Sequence, residues 1–216
     1  MGTSPPHLRR VPGLRFFKLL GSGGTNGFGL SPNWDRYALL ATWDAPEAAA
    51  AFEAGPLWAE YQRRSREQWR LELAPIKAHG LWDGQNPFAD SLAADAAGAA
   101  TAAGGPVAVL TRASIHLGKA RRFWSYAGPG AAPLRALAEA PGVRVALGLG
   151  ELPVVRQATF SVWDSEQAVQ DYAYRDARHR EVIQLTRREN WYSEEMFARF
   201  RVLSSAGTLD GVSFNI

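Results

Sequence analysis

The chain has 216 residues, of which 46% are hydrophobic and 21% charged, a balance typical of folded globular domains and not of a disordered chain. The absence of cysteine excludes disulfides, zinc ribbons, iron–sulfur clusters and thiolate haem ligation. The net charge of +3 comes from basic residues interleaved with acidic ones, which does not favour nucleic-acid binding. No apolar run approaches the ~18–20 residues of a membrane span, and the first ten residues lack the apolar core of a secretory signal, so a cytoplasmic protein is predicted.

The first half of the chain predicts an incomplete structural unit. Its pattern indicates strands at 16–20 and 37–43, a helix over 45–68 and a strand at 70–76. An opening strand and most of a first helix have no sequence to form them, so either the start codon is placed late or the protein lives without them. Asp44 with Glu47 has the spacing of a capping box at the start of the helix.

The second half predicts a complete unit. Apolar alternation with β-branched residues indicates strands at 107–115, 143–149, 155–163 and 197–203. Helical segments are predicted at 119–139, interrupted by glycine and proline at 128–130, and at 165–189, where Asp164 with Gln167 repeats the capping-box spacing. The order β-α-β-β-α-β is that of a ferredoxin-like unit.

The two halves resemble each other, which indicates an internal duplication. Five matches occur in the same order in both halves. They are 13–21 with 142–150, 37–44 with 156–164, the Trp-Asp pair at 43–44 with that at 163–164, 66–69 with 188–191, and 81–84 with 208–211. We therefore predict an α+β protein of two fused ferredoxin-like halves of the dimeric α/β barrel type, the first lacking its opening strand and helix. The predicted division is residues 1–92, an Ala/Gly-rich flexible linker at 93–105, and residues 106–216. The missing strand leaves an unpaired edge or groove, which favours a homodimer that covers it.

His179 is the histidine whose position favours a ligand role. On the predicted helix over 165–189 it shares a face with Tyr172, Ile183 and Thr186. A neutral imidazole there can ligate iron, most simply that of haem, or it can be a hydrogen-bonded core histidine. The glycine-rich stretch 21–29 lacks the lysine and the following helix of a phosphate-binding loop, and we interpret it as a loop between strands.

Arginines near His179 add a second signal. Arg178 and Arg187 flank it on the helix and could pair with haem propionates, or they could simply be surface residues. Arg112 lies among apolar strand residues and could face a pocket. The large aromatic residues could line a site for a flat apolar ligand or pack a core; they are Trp43, Trp58, Trp69, Trp124, Trp163, Trp191, Phe123 and Phe160.

Nearly the whole chain from about residue 10 resembles the spheroidene monooxygenase family of carotenoid biosynthesis. The segments that carry the resemblance are PGLRF (12–16), GSG (21–23), YALLATW (37–43), WDG (82–84), PF (87–88), LTRASI (110–115), GLGE (148–151), TFSVW (159–163) and WYSEEMFARF (191–200). The chain departs from the family pattern in lacking its first strand and helix.

The resemblance implies a haem-containing oxygenase that inserts oxygen into an apolar polyene. His179 falls where the family has a histidine, so the resemblance makes it the axial ligand of haem b and Arg178 and Arg187 further cofactor-binding residues. His116 and His79 stand where the family has arginine. Arg112 and His116 become candidate distal, catalytic residues.

The sequence thus predicts a haem-dependent monooxygenase that uses O₂ or peroxide on an apolar small molecule, a carotenoid or another secondary metabolite. Electrons would come from an external donor such as a ferredoxin. Similar short relatives occur in bacteria that make no spheroidene, so dehydration or nitrogen oxidation in a natural-product pathway is an alternative. Two further alternatives are a cofactor-free monooxygenase of the same barrel architecture and a non-catalytic module that binds apolar ligands.

Overall fold

The computed structural model describes residues 5–23, 32–98, 104–127, 137–152, 154–175, 185–186 and 188–214. The helices are α1 (Pro5–Leu8), α2 (Pro46–Glu53), α3 (Pro56–Arg64), α4 (Ala89–Gly98), α5 (Ala120–Ala127) and α6 (Glu166–Arg175), with a 3₁₀ turn at Leu117–Lys119. The strands are β1 (Leu14–Gly23), β2 (Pro32–Trp43), β3 (Trp69–Gly80), β4 (Val107–Ile115), β5 (Val143–Leu152), β6 (Arg156–Trp163) and β7 (Tyr192–Gly207). No helix in these ranges is long and apolar enough to cross a membrane.

The seven strands form one antiparallel sheet in the order β2-β1-β5-β6-β4-β7-β3. Within it, β5-β6-β4-β7 is the strand order of a ferredoxin-like unit, because the first strand of the second half lies between its third and fourth strands. The fold class is therefore α+β, as predicted. The described residues before β1 form α1 and a turn, so the first half contributes three strands.

Most predicted elements of the second half are confirmed. Strand β4 has the predicted bounds, β5 and β7 extend the predicted strands by a few residues at one or both ends, and β6 begins one residue later than predicted. Helix α6 covers the start of the predicted helix over 165–189, but residues 176–184 lie outside the described ranges, as does the predicted break at 128–130.

The first half differs from the prediction in its helical segment. The predicted single helix over 45–68 is two helices, because Gly55 and Pro56 interrupt it and Pro56 starts α3 at a position where its missing N–H costs nothing. Helix α4 extends to Gly98, so the segment predicted as a linker begins inside a helix. The domain division itself stays a prediction.

The predicted capping boxes are wrong by one residue. Ala45 is the N-cap of α2 and makes no side-chain cap, while Ser165 Oγ accepts the backbone N–H of Ala168 at 3.2 Å. Asp44 and Asp164 instead pair with arginines of the neighbouring strand. The two aspartates thus make charge-assisted hydrogen bonds to arginines and do not cap the helices.

The internal duplication is visible in the way each β-hairpin begins and ends. The backbone N–H of Asp44 donates to Gly13 O at 2.8 Å, and the N–H of Asp164 donates to Gly142 O at 2.8 Å. Arg15 pairs with Asp44, and in the second half Arg144 Nε lies 2.6 Å from Asp164 Oδ1. These contacts confirm the matches of 13–21 with 142–150 and of 37–44 with 156–164.

The pairing of β3 with β7 is reciprocal. Trp69 lies opposite Gly207 and Gly80 lies opposite Met196, so the structural counterpart of Trp69 is Met196. The sequence match of 66–69 with 188–191 is therefore wrong by five residues. The letters coincide, but strand register decides which residues occupy equivalent places.

Each half also holds the final turn of the other half. The carboxylate of Glu194 accepts the backbone N–H groups of Asp83 at 3.1 Å and Gly84 at 2.8 Å. Glu67 of the first half holds the final turn of the second half in the same way. It accepts the N–H groups of Asp210 at 3.0 Å and Gly211 at 2.7 Å. The halves are thus joined by hydrogen bonds to charged acceptors, which are stronger than neutral ones.

The Gly207 position tests this reciprocal pairing. Its φ is +84°, and a Cβ there would lie 2.0 Å from Gln68 O, so Gly207→Ala should lower the free energy of unfolding by about 1–3 kcal/mol. Gly118→Ala is the matched control because a Cβ there meets nothing within 4 Å. Urea unfolding measures both; equal effects of the two variants would contradict the described pairing.

Candidate functional site

The two faces of the sheet pack against different partners. Leu110 of β4 belongs to an apolar core with Phe160, Phe200 and Trp82 on the inner, concave face of the sheet. Alternate residues of β4 point the other way, where Val107 packs with Val169 of α6 and Ile115 packs with residues of α5. The inner face is filled by side chains, while the outer face meets the helices.

Arg112 lies on the inner face at one end of this core and is 1% exposed. Its Nε and Nη2 are each 3.3 Å from Glu151 Oε1, and its Nη1 pairs with Glu194. The guanidinium also lies 5.5 Å from the ring centroid of Trp82 and 3.7 Å from Asp83 Oδ1. Arg112 is thus fully engaged by protein groups.

Lys18 and Arg156 complete the cluster around Arg112. Lys18 Nζ is 3.1 Å from Glu151 Oε2 and also pairs with Asp83, and Arg156 Nη1 is 3.4 Å from Asp83 Oδ1. The indole N–H of the fully buried Trp82 donates to Glu151 at 2.8 Å. Three cations balance three carboxylates in what we call the ion layer, defined by Lys18, Asp83, Arg112, Glu151, Arg156 and Glu194.

Two carboxylates of the ion layer, those of Asp83 and Glu194, are held in the charged form. Burial raises the pKa of Glu194, but the backbone N–H groups of Gly84 and Asp83 and the Arg112 guanidinium outweigh it, and the pKa lies below its ordinary value. Burial also raises the pKa of Asp83, and Lys18 above all reverses the effect. Charged, paired carboxylates are poor general acids or bases near neutral pH.

The outer face carries an aromatic cluster. Trp191 is fully buried between α5 and the 185–189 segment, with Phe123 at 5.7 Å and Tyr126 at 5.9 Å between ring centroids. Ile115 and Leu185 pack against the same group. This cluster lies on the same face of the sheet as α6, because Ile115 and Val107 have the same alternation phase in β4 and Val107 packs with Val169 of α6.

His116 stands at the edge of the aromatic cluster. It follows β4 directly, is half-buried, and its backbone N–H donates to Trp191 O at 2.9 Å. Arg112 projects from the inner face of the same strand, and its described hydrogen bonds are to Glu151 and Glu194. The catalytic roles of Arg112 and His116 stay predictions. His179, Arg178 and Arg187 lie outside the described residues.

A groove of about 410 Å³ opens next to this region. It is lined by Gly80, Leu81, Thr186, Asn190, Tyr192, Ser193, Glu194 and Glu195. Burial raises the pKa of the Tyr192 hydroxyl, which keeps it neutral. Within the described ranges no group of three or more histidine, cysteine, aspartate or glutamate residues could hold a metal ion.

Sequence reasoning singled out Arg112 but missed the rest of the ion layer. Lys18, Glu151 and Glu194 occupy strand positions of the same alternation phase as apolar core residues, which places their charges inside the sheet. A charged residue at a strand position whose alternate neighbours are all apolar is the sequence signal that could have identified them.

Removing the central cation should destabilise the fold strongly. Arg112→Met leaves Glu151 and Glu194 without their shared partner, and we expect a loss of about 3–5 kcal/mol in the free energy of unfolding. Arg122→Met is the control, because Arg122 pairs with Glu189 in an exposed position and surface pairs contribute little. Guanidinium unfolding compares them; a cost for Arg112→Met no larger than for the control would refute the described ion layer.

Acid should weaken the same layer through Glu194. Because its folded-state pKa is lowered, the stability it contributes is present above the ordinary value of 4.5 and is lost as pH falls through the folded-state pKa. Glu194→Gln should therefore be less stable than the parent at neutral pH, with the gap narrowing towards acid. Unfolding curves across this range measure the gap, and Glu195→Gln controls for loss of an exposed charge. A gap that is constant with pH would contradict the assignment.

No family model matches the chain. It is 43% identical over 211 residues to spheroidene monooxygenase of Rubrivivax gelatinosus, covering 97% of this chain and 76% of that protein. The spheroidene monooxygenase of Rhodobacter capsulatus is 35% identical over 94% of this chain and 82% of its own length. That of Cereibacter sphaeroides is 34% identical over 93% of this chain and 60% of its own length.

Among solved structures, the chain is similar to a ferredoxin-fold protein from Listeria monocytogenes that is related to antibiotic biosynthesis monooxygenases. The sequence identity is 12% and the TM-score 0.32, over 87% of this chain and 95% of that one, and at this level the likeness carries no argument. The sequence relatives do carry one, because two of them exceed 30% identity over more than two thirds of their own length. The chain therefore belongs to the spheroidene monooxygenase family and is a monooxygenase.

Proposed function

We propose that this monooxygenase uses haem b to oxidise an apolar small molecule, a carotenoid or a related secondary metabolite. The observation that carries the proposal is the outer-face aromatic cluster around Trp191, which lies on the same face of the sheet as α6. Spheroidene in the names of the relatives supports a carotenoid as the substrate class.

The residues around the aromatic cluster fit a haem group in their chemistry. Haem needs a flat apolar surface, one nitrogen ligand and cations for its propionates. Tyr126, which is exposed and packs on the buried Trp191, offers apolar surface there. His179 would ligate the iron, and Arg178 and Arg187 would pair with the propionates.

When bound, haem supplies the activation of O₂ or peroxide, and this chain's residues supply the surroundings. The buried rings of Phe123 and Trp191 would keep water out beneath such a site, and polar contacts are stronger where water is excluded. His116, half-buried at the rim, can donate or accept a proton through its imidazole.

Arg112 would act as a positioning residue in this proposal. Its guanidinium pairs with Glu151 and Glu194 on the inner face. These contacts would hold the end of β4 in place, and His116 is the residue that directly follows this strand. Electrons would arrive from a separate donor such as a ferredoxin, and we place the protein in the cytoplasm. The exposed edge strands β2 and β3 support a homodimer.

An absorption spectrum tests the proposal directly. Protein expressed with a haem precursor should show a near-stoichiometric Soret band that shifts on reduction under carbon monoxide. His179→Ala should abolish that band, His116→Ala should keep it and lower turnover of a carotenoid, and the exposed His7→Ala should change neither.

A flat visible spectrum after haem reconstitution would remove haem from the proposal and favour a cofactor-free monooxygenase. Full haem retention in His179→Ala would remove the axial-ligand assignment alone. Product analysis then separates monooxygenation from dehydration or nitrogen oxidation, and tight binding without turnover would indicate a binding module.

A further inference from the structure

Three exposed apolar side chains lie together at the end of the second half. Leu117 is 77% exposed, Leu152 is 52% exposed and Val154 is 38% exposed. Backbone Ile115 N–H donates to Val155 O at 2.8 Å, and the Trp124 indole donates to Val154 O at 2.8 Å. These bonds hold Val154 and Val155 close to the segment that contains Leu117, and we group the three exposed side chains as the apolar tip.

The apolar tip is built into the backbone. Val154 has a φ of 73°, a region that β-branched residues rarely adopt and that persists only where the surroundings enforce it. Leu117 lies in the 3₁₀ turn between β4 and α5 and projects into solvent. Clustered apolar side chains that stay exposed in a folded protein mark a surface that meets another phase or partner.

A set of basic residues, which we call the basic collar, follows Leu117 along α5 and includes a residue of the 188–190 segment. It consists of Lys119, Arg121, Arg122 and Arg188, on or next to α5 and the 188–190 segment. Lys119 Nζ donates to Glu189 O at 2.5 Å, and the Glu189 carboxylate pairs with Arg122 and, at 3.8 Å, with Arg188. In residues 115–127, 185–186 and 188–191, Glu189 is the one acidic residue beside these four cations.

We propose that the apolar tip and the basic collar dock the protein on the surface of a lipid bilayer that carries anionic headgroups. Apolar side chains that enter the boundary between headgroups and acyl chains, with cations at headgroup level, are the recurring chemistry of peripheral membrane binding. Net positive charge at the collar complements anionic lipid. The inference rests on the proposed function, because an apolar substrate dissolves in the lipid phase and not in water.

The place of the tip in the fold supports this use. The tip and the outer-face aromatic cluster share α5, since Phe123 packs on Trp191 while the neighbouring Trp124 holds the Val154 turn. A bilayer that receives the tip therefore lies next to the side of the sheet on which we place the substrate. The opposite end of β7 carries Leu203, which is exposed to the same degree as Leu152 but lies far from the collar.

Vesicle flotation tests the proposal with the full chain. Wild-type protein should float with vesicles of phosphatidylcholine and phosphatidylglycerol, should float less with phosphatidylcholine alone, and should be partly released by high salt. The double variant Leu117→Ser, Leu152→Ser should partition about tenfold more weakly, because it removes two apolar anchors. Leu203→Ser is the matched control and should float like the wild type.

Three results would overturn the docking surface: no flotation of the wild type, equal flotation of the double variant, or an equal loss in Leu203→Ser. A wild type that is dimeric in light scattering, becomes monomeric in the double variant and ignores vesicles would make the tip a protein interface instead. Thermal unfolding of each variant confirms that it is folded, as expected for substitutions at exposed positions.

The outcome is separable from the proposed function. A haem spectrum and turnover of detergent-dispersed carotenoid without flotation would overturn the docking surface and leave the function standing. Flotation of a protein that binds no haem would overturn the haem-dependent function and leave the docking surface standing.

Discussion

The buried guanidinium of Arg112 is the interaction on which this architecture depends. A charge in a nearly water-free interior is tolerated only with good geometry and full hydrogen bonding. Arg112 meets that condition by joining Glu151 of β5, Glu194 of β7 and the turn at Asp83, which belong to both halves of the chain. Because these partners come from distant segments, the ion layer forms only when the whole sheet has assembled.

The same layer borders the apolar core on the inner face. Its apolar side chains fill the space within the curved sheet, and Trp82 with its charged neighbours closes one end. On the outer face, the aromatic side chains Phe123 and Trp191 pack together between the strands and α5. A single strand, β4, thus serves stability with one set of alternate residues and the candidate site with the other.

Much of the fold could be predicted from the sequence because strand alternation and the duplication are local signals. β4 was located to the residue, and the hairpins after Gly13 and Gly142 were matched correctly. The break at Gly55 was missed because the flanking alanines continue the helical pattern, and the match of Trp69 with Trp191 failed because register depends on a partner strand far along the chain. The partners of Arg112 lie on different strands, so no spacing in the sequence records them. His179 is predicted as a ligand from its place on a helix face and from the resemblance, and the described residues do not include it.

The number of strands restricts how a further strand could join the two edges of the sheet. In a fully antiparallel sheet of seven strands the two outermost strands, β2 and β3, point in the same direction. A closed antiparallel barrel needs an even number of strands, so these two edges cannot bond to each other in the manner of the rest of the sheet. A single strand that sealed the opening would have to run against both of them, as β4 runs against β6 and β7 in the second half. The direction of that strand is fixed by parity, whatever molecule provides it.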